Sequence, residues 1–141
     1  MPIKRIVVLG ASAGGVQALK DVVSAFPANL DAAVLVVLHI PPYVSSRLPE
    51  ILSSAGPLKA NHPPDNTKIE PGVIYVAPPD HHLLVSGDSV LVKRGPKENR
   101  FRPSIDALFR SAAYVYGSKA IGLCCPASLM TARQGSGASN I

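Results

Sequence analysis

The sequence predicts an α/β fold, a doubly wound and mostly parallel sheet with flanking helices and a β-hairpin. Short apolar stretches rich in β-branched residues, typical of buried parallel strands, alternate along the chain with stretches whose apolar residues recur at helical spacing. Within the first forty residues a strand, a helix and a second strand follow one another. This order is a βαβ unit, whose crossover is expected to be right-handed.

Size and composition bound the class of protein. A chain of 141 residues predicts one domain, and a hydrophobic content of 47% suffices for a core. No apolar run approaches the roughly 18 residues of a membrane helix, and the first five residues have no signal-peptide features. Cys124 and Cys125 are adjacent, which matches neither a disulfide framework nor a metal-ligand spacing. We therefore expect a cytoplasmic protein without direct membrane insertion.

The net charge of +5 would suit an acidic partner. Aromatic residues make up only 5% of the chain, and no nucleic-acid-binding motif is present. The sequence therefore predicts no nucleic-acid partner.

The elements of the first half follow in order. Residues 6–9 predict the first strand, residues 15–26 the first helix, and residues 33–40 the second strand, which two prolines end. Residues 45–55 predict a short helix, capped by Ser45 or Ser46, in which a proline fits only within the first turn.

In the second half, residues 73–77 predict a third apolar strand, and residues 83–86 and 89–93 a hairpin around Gly87-Asp88. A helix then begins after Ser104 and ends at Gly117, a suitable residue just past a helix end. Its expected inward-facing residues are Ile105, Leu108, Phe109, Ala112 and Tyr116. Residues 119–124 predict a further strand.

The stretch after the first strand carries the candidate nucleophile. Gly10-Ala11-Ser12-Ala13-Gly14 has the Gly-x-Ser-x-Gly spacing that holds a serine on a tight turn between a strand and a helix. The alternative is the phosphate-binding turn of a nucleotide-binding βαβ protein. Ser12 stands where the dinucleotide fingerprint requires its second glycine, which disfavours that alternative.

His39, at the end of the second strand, is the candidate base. Parallel strands carry their sites at their carboxyl ends, so Ser12 and His39 are expected at neighbouring strand tips. A base close to a serine hydroxyl is the arrangement of nucleophilic catalysis.

The remaining polar residues predict neither a metal site nor a cofactor site. Asp80-His81-His82 resembles a metal cluster, but adjacent histidines in an extended segment point to opposite faces. His62 lies in a turn-rich stretch and is assigned no role. The basic run is a solvated surface or a surface that steers an acidic protein; it comprises Lys93, Arg94, Lys97, Arg100 and Arg102.

Several motifs in order resemble the catalytic domain of chemotaxis protein-glutamate methylesterases. They are GASAGG at 10–15, HIPP at 39–42, GVIYVAPP at 72–79 with HLLV at 82–85, and RPSIDALFRSAA at 102–113. The resemblance implies hydrolysis of γ-glutamyl methyl esters, often with deamidation of glutamines, on methylated chemoreceptor cytoplasmic helices. It also implies that Ser12 is the nucleophile and His39 the general base.

The chain departs from this family in three places. Ala13 stands where many members carry a hydroxyl residue, no receiver domain is expected, and the carboxylate of the triad is absent from the stretch where the family places it. We therefore predict an incomplete methylesterase-like domain at 1–122, its C-terminal part missing, and an aberrant, disordered tail at 123–141. A non-catalytic receptor-binding module and an unstable remnant are the alternatives to an impaired esterase.

A shifted reading frame would account for the tail. If each codon begins at the third base of the present one, synonymous choices let the stretch from position 124 read Leu-Ser-Gly-Val-Pro-Asp-Asp-Gly-Thr-Ala-Gly-Leu-Trp-Gly-Val-Lys-His, similar to the family's Asp-Gly loop. The second aspartate allows no codon choice, because Met130 is only ATG and codons for Thr131 begin with AC. We hypothesise a frame shift near Gly122-Leu123, which sequencing the locus tests.

Overall fold

A computed structural model describes residues 5–12, 15–39, 47–94, 105–125 and 130–131. The strands are β1 (Ile6–Ser12), β2 (Ala33–His39), β3 (Lys59–Asn61), β4 (Thr67–Lys68), β5 (Val73–Val76), β6 (His82–Ser86), β7 (Ser89–Lys93), β8 (Ala120–Cys125) and β9 (Met130–Thr131). The helices are α1 (Val16–Ser24), α2 (Leu48–Ala55) and α3 (Ile105–Tyr116), with a 3₁₀ turn at Gly117–Lys119.

The main sheet has six strands in the order β3-β5-β2-β1-β8-β9. All neighbours pair in parallel except β8 and β9, which are antiparallel. β1 lies between β2 and β8, with Ile6 opposite Ala33 on one side and Ala120 on the other. The first βαβ unit is therefore confirmed, since β1 and β2 are adjacent and parallel.

Alternate residues of the central strands face two separate cores, one on each side of the sheet. The first core joins β1 and β2 to α3 and to the hairpin; its members include Ile6, Val8, Leu35, Val37, Leu83, Val85, Leu108 and Ala112. The second core joins them to α1 and α2; its members include Leu9, Ala11, Val34, Val36, Leu19, Val23, Leu48 and Leu52. Helices thus cover both faces, which confirms the doubly wound α/β class.

A second, three-stranded sheet of order β4-β7-β6 contains the predicted hairpin. β6 and β7 pair antiparallel through the turn at Gly87, whose φ of 60° suits a glycine. β6 is an edge strand of this sheet, and α3 packs beside it. The Ser111 hydroxyl accepts a hydrogen bond from the Val85 amide at 3.0 Å, so the helix satisfies a backbone donor of that edge.

Several boundaries differ from those the sequence predicts. β1 continues to Ser12 rather than ending at residue 9, because positions 10–12 pair in register with Val37, Leu38 and His39. α2 begins at Leu48, with Arg47 as N-cap and no side-chain capping bond, and its proline lies in the first turn as expected. The other predicted caps, Ser45, Ser46 and Ser104, lie outside the described residues. Gly117 has a φ of 53°, as its predicted place requires.

The last strands extend past the predicted boundary between residues 122 and 123. β8 runs to Cys125, and β9 pairs with it at Leu123 and Cys124. Ile121 of β8 is 52% exposed, although it lies in a central-sheet strand. Residues 126–129 and 132–141 of the predicted tail lie outside the described residues. Among the described helices, none has the length and hydropathy needed to cross a membrane.

Candidate active site

The two predicted catalytic positions are directly opposite each other in the sheet. Ser12 is the last residue of β1 and His39 the last residue of β2, and their Cα atoms are partners in the parallel register. Neighbouring strands are separated by about 4.8 Å. The backbone therefore brings both positions to one place at the carboxyl edge of the sheet.

The sequence around Ser12 explains why the strand reaches it. Gly10 and Ala11 are both buried, and their small size lets the chain continue between β2 and β8 where larger residues would crowd the core. By the alternation of a strand, positions 10 and 12 lie on the same face of the sheet as Ile6 and Val8. Position 39 lies on the same face as Leu35 and Val37. Ser12 is consequently the end of an extended strand, and not a residue of a turn that follows the strand.

The segment after β5 also lies at this edge. β5 is the other neighbour of β2, and the Ala77 amide donates to the Val36 carbonyl at 2.9 Å. Asp80 then adopts a φ of 61°, a left-handed conformation that aspartate tolerates. Its Oδ2 accepts hydrogen bonds from Arg94 Nη2 at 2.8 Å and Nε at 3.1 Å. This ion pair joins the segment after β5 to the residue that follows β7.

His62, to which the sequence assigned no role, stands at the carboxyl end of β3. Its Nδ1 lies 3.0 Å from the Val76 carbonyl oxygen. Because a carbonyl only accepts, Nδ1 carries the proton and donates it. Its Nε2 is buried and has no hydrogen-bonding partner within the described part of the chain. His62 therefore links the ends of β3 and β5, a role that no sequence pattern signals.

The adjacent histidines occupy different surroundings. His82 is buried in β6 at 4% exposure, whereas His81 is half-buried and donates from Nδ1 to the Pro79 carbonyl at 2.8 Å. Across the described ranges, no group of three or more histidine, cysteine, aspartate or glutamate side chains could hold a metal ion.

Part of the basic run is already engaged by carboxylates. Lys93 Nζ donates to Asp65 Oδ2 at 2.8 Å, and the Val92 amide donates to Asp65 Oδ1 at 2.9 Å. The Lys93 hydrogen bond, followed by that of Val92, lowers the pKa of the Asp65 carboxyl below its usual 3.8. Arg94 is held by Asp80 in the same way. Lys97, Arg100 and Arg102 lie outside the described residues, so steering of an acidic partner by this run stays a prediction.

Comparison with known proteins decides the family. The sequence model described as CheB methylesterase matches residues 7–130. The chain belongs to this family. A solved structure, the CheB methylesterase catalytic domain of Thermotoga maritima, aligns with a TM-score of 0.78 at 33% sequence identity, covering 85% of this chain and 66% of that chain.

Two relatives of this CheB-family chain are named protein-glutamate methylesterase/protein-glutamine glutaminase. The one from Anaeromyxobacter dehalogenans is 42% identical over 125 residues, covering 87% of this chain and 36% of the relative. The one from Methanosarcina mazei is 36% identical over 129 residues, covering 86% of this chain and 35% of the relative. The chain thus spans about a third of the length of these relatives.

Proposed function

We propose that this chain is a protein-glutamate methylesterase that hydrolyses γ-methyl esters of glutamate on chemoreceptor helices, with Ser12 as nucleophile and His39 as general base, and that the aberrant sequence from position 123 onward impairs its rate. The observation that carries the proposal is the in-register pairing of Ser12 and His39 at the carboxyl ends of β1 and β2. The names of the relatives support the choice of reaction and substrate. They also support a parallel hydrolysis of glutamine side chains.

In the proposed reaction the Ser12 oxygen attacks the ester carbonyl and His39 accepts the hydroxyl proton. The tetrahedral intermediate collapses, the C–O bond to the methoxy group breaks, and methanol leaves with the proton returned by His39. Water then attacks the acyl-enzyme while His39 accepts its proton, the acyl C–O bond to Ser12 breaks, and His39 returns the proton to the serine oxygen. The product acid ionises to the glutamate carboxylate. With a glutamine substrate the leaving group is ammonia.

The start of α1 supports this chemistry electrostatically. α1 begins at Val16, four residues after Ser12, and its N-cap is Gly15. The first amides of a helix have no partner within the helix, and its N-terminus carries a partial positive charge. Both favour an oxyanion that develops near the serine.

Methanol release from a methylated chemoreceptor fragment tests the proposal. In a chain in which the shifted-frame sequence replaces residues 124–141, we expect Ser12→Ala and His39→Gln to reduce release to the uncatalysed background. Ser24→Ala is the matched control, because Ser24 is an exposed serine of α1 whose hydroxyl donates to the Asp21 carbonyl at 2.8 Å. Release by Ser12→Ala equal to that of the control would contradict the assignment. Receptor binding without release even by the chain that carries the shifted-frame sequence would favour the non-catalytic receptor-binding module.

A further inference from the structure

Gly10 lies where the strand that carries Ser12 meets the beginning of α3. A Cβ built on Gly10 would lie 2.7 Å from Cγ2 of Ile105 and 3.0 Å from its Cδ1 and Cγ1. Carbon atoms in van der Waals contact are separated by about 3.5–4.0 Å. Any residue larger than glycine at position 10 therefore collides with the side chain of Ile105.

Ile105 has little freedom to move away from such a collision. It is the first residue of α3, and Cγ1 and Cγ2 are attached directly to its branched Cβ, so no rotation beyond χ1 can move either atom away. Further along α3, Leu108 and Ala112 are fully buried in the core that contains Val8 and Leu35. An added methyl group at position 10 must therefore displace the first turn of α3 relative to β1.

We propose that Gly10 is a positioning residue for the candidate active site. Because glycine leaves room for Ile105, the beginning of α3 packs against β1 two residues before Ser12. This contact lies on the face of the sheet that also includes positions 12 and 39. The contact fixes the spacing between the first turn of α3 and the Ser12–His39 pair. This inference rests on the proposed function for its catalytic consequence, but its geometric content can be measured separately.

Three variants separate positioning from mere loss of packing. Gly10→Ala introduces the collision, Ile105→Ala removes the three atoms that collide, and the double variant carries both changes. Gly56→Ala is the matched control, because its new Cβ would lie 2.5 Å from the Val23 carbonyl oxygen, a collision between α1 and α2 in the other core. All variants are compared at a temperature at which each is folded.

The first readout is the set of backbone amide resonances of Ser12 and His39 in two-dimensional NMR spectra. We expect Gly10→Ala to shift them, the double variant to return them to the positions seen in Ile105→Ala, and Gly56→Ala to leave them in place. Unshifted resonances in Gly10→Ala, or shifts that remain in the double variant, would overturn the inference.

The second readout is the rate at which a fluorophosphonate labels Ser12, a reaction that forms the oxygen–phosphorus bond, breaks the phosphorus–fluorine bond and passes the hydroxyl proton to the base. Misplacement by about 1 Å costs about 100-fold in rate, so we expect labelling of Gly10→Ala to be about 10- to 100-fold slower. We expect the double variant to recover the rate of Ile105→Ala. If neither the unsubstituted protein nor the chain that carries the shifted-frame sequence is labelled at Ser12, the proposed function fails, and the NMR comparison still decides whether Gly10 positions the site.

Discussion

At the scale of the residue, Asp65 shows how a charged side chain can stabilise an exposed turn. Its carboxylate accepts from the Val92 amide and from Lys93, and so joins the segment before β4 to the end of β7. Both partners interact with the ionised form, which is why the pKa of Asp65 lies below 3.8 in the folded protein. A carboxyl whose pKa is lowered on folding contributes stability above its unfolded pKa, and this contribution is lost as the pH falls through the folded value.

We therefore predict that Asp65→Asn lowers the urea midpoint of unfolding at pH 7. The difference from the unsubstituted protein should diminish below about pH 4, the range in which an aspartate of ordinary pKa is protonated in the unfolded chain. Lys93→Gln should remove most of this pH dependence, since the Lys93 hydrogen bond is the largest cause of the lowered pKa. A difference between Asp65→Asn and the unsubstituted protein that persists unchanged at pH 2.5 would contradict the explanation.

The sequence predicts where the candidate residues lie better than it predicts the contacts around them. Ser12 and His39 each stand at the end of an apolar, β-branched run, so the sequence places both near strand ends. The strand register then puts them opposite each other. The roles of His62 and Asp80 depend on contacts with Val76 and Arg94, which are 14 residues away in each case. No local pattern predicts such contacts, because they arise only when separate strands end at the same edge.

At the scale of the element, the packing of α1 against α2 depends on Gly56. Its φ of −156° is an extended conformation open to any residue, so the requirement for glycine is steric and not conformational. A Cβ at this position would come within 2.5 Å of the Val23 carbonyl oxygen and 3.0 Å of its carbonyl carbon. Backbone atoms in a helix cannot rotate away, so the two helices would have to separate.

We predict that Gly56→Ala destabilises the fold by about 1–3 kcal/mol, the usual cost of overpacking. Thermal and denaturant unfolding measure this change. Gly87→Ala serves as the comparison, since nothing lies within 4 Å of its Cβ and only its φ of 60° opposes the substitution. Asparagine, which tolerates this backbone region, should restore stability at position 87 and not at position 56. Equal recovery at both positions would show that Gly56 is not required for steric reasons.

The predicted elements agree with the structure wherever apolar periodicity spans several residues. The strand at Ala33–His39, the hairpin and α3 are of this kind, with boundaries within a residue or two. β3 and β4 were not predicted, because strands of three and two residues are too short to show alternation. The extension of β1 over Gly10-Ala11-Ser12 was missed because small residues favour turns locally, while pairing on both sides makes them a strand here.

At the scale of the whole molecule, the strand β8 leaves apolar surface exposed at the side of the main sheet. Ile121 is 52% exposed, whereas the neighbouring β1 residues Val8 and Leu9 are fully buried. Within the described residues, β9 pairs with β8 at Leu123 and Cys124 alone. Apolar surface of this kind is normally removed from water, with a gain of about 25 cal/mol per Å².

We propose that residues 1–122 form the incomplete methylesterase-like domain and that residues 123–141 are an aberrant tail, read out of frame from position 124. The shifted frame, which begins at the last two positions of β8, supplies a Gly-rich segment with two aspartates followed by apolar residues at helical spacing. A chain in which this sequence replaces residues 124–141 should cover Ile121 and unfold at a higher temperature. Ile121→Ser, which removes apolar surface without adding a segment, is the control, and it should reduce aggregation without changing methanol release.

The decisive comparison is methanol release from a methylated receptor by the two chains at equal concentration. If one of the shifted-frame aspartates holds the tautomer of His39 and stabilises its imidazolium, its absence costs on the order of 10⁴-fold, as in serine hydrolases that lack this carboxylate. We therefore expect the 141-residue chain to release methanol near the background rate and the replaced chain to release it well above background. Asparagine in place of the second shifted-frame aspartate should return the replaced chain to the lower rate while its unfolding temperature stays high. A 141-residue chain that reaches even a tenth of the rate of the replaced chain would mean that another carboxylate serves His39, and the proposed role of the shifted frame would be wrong.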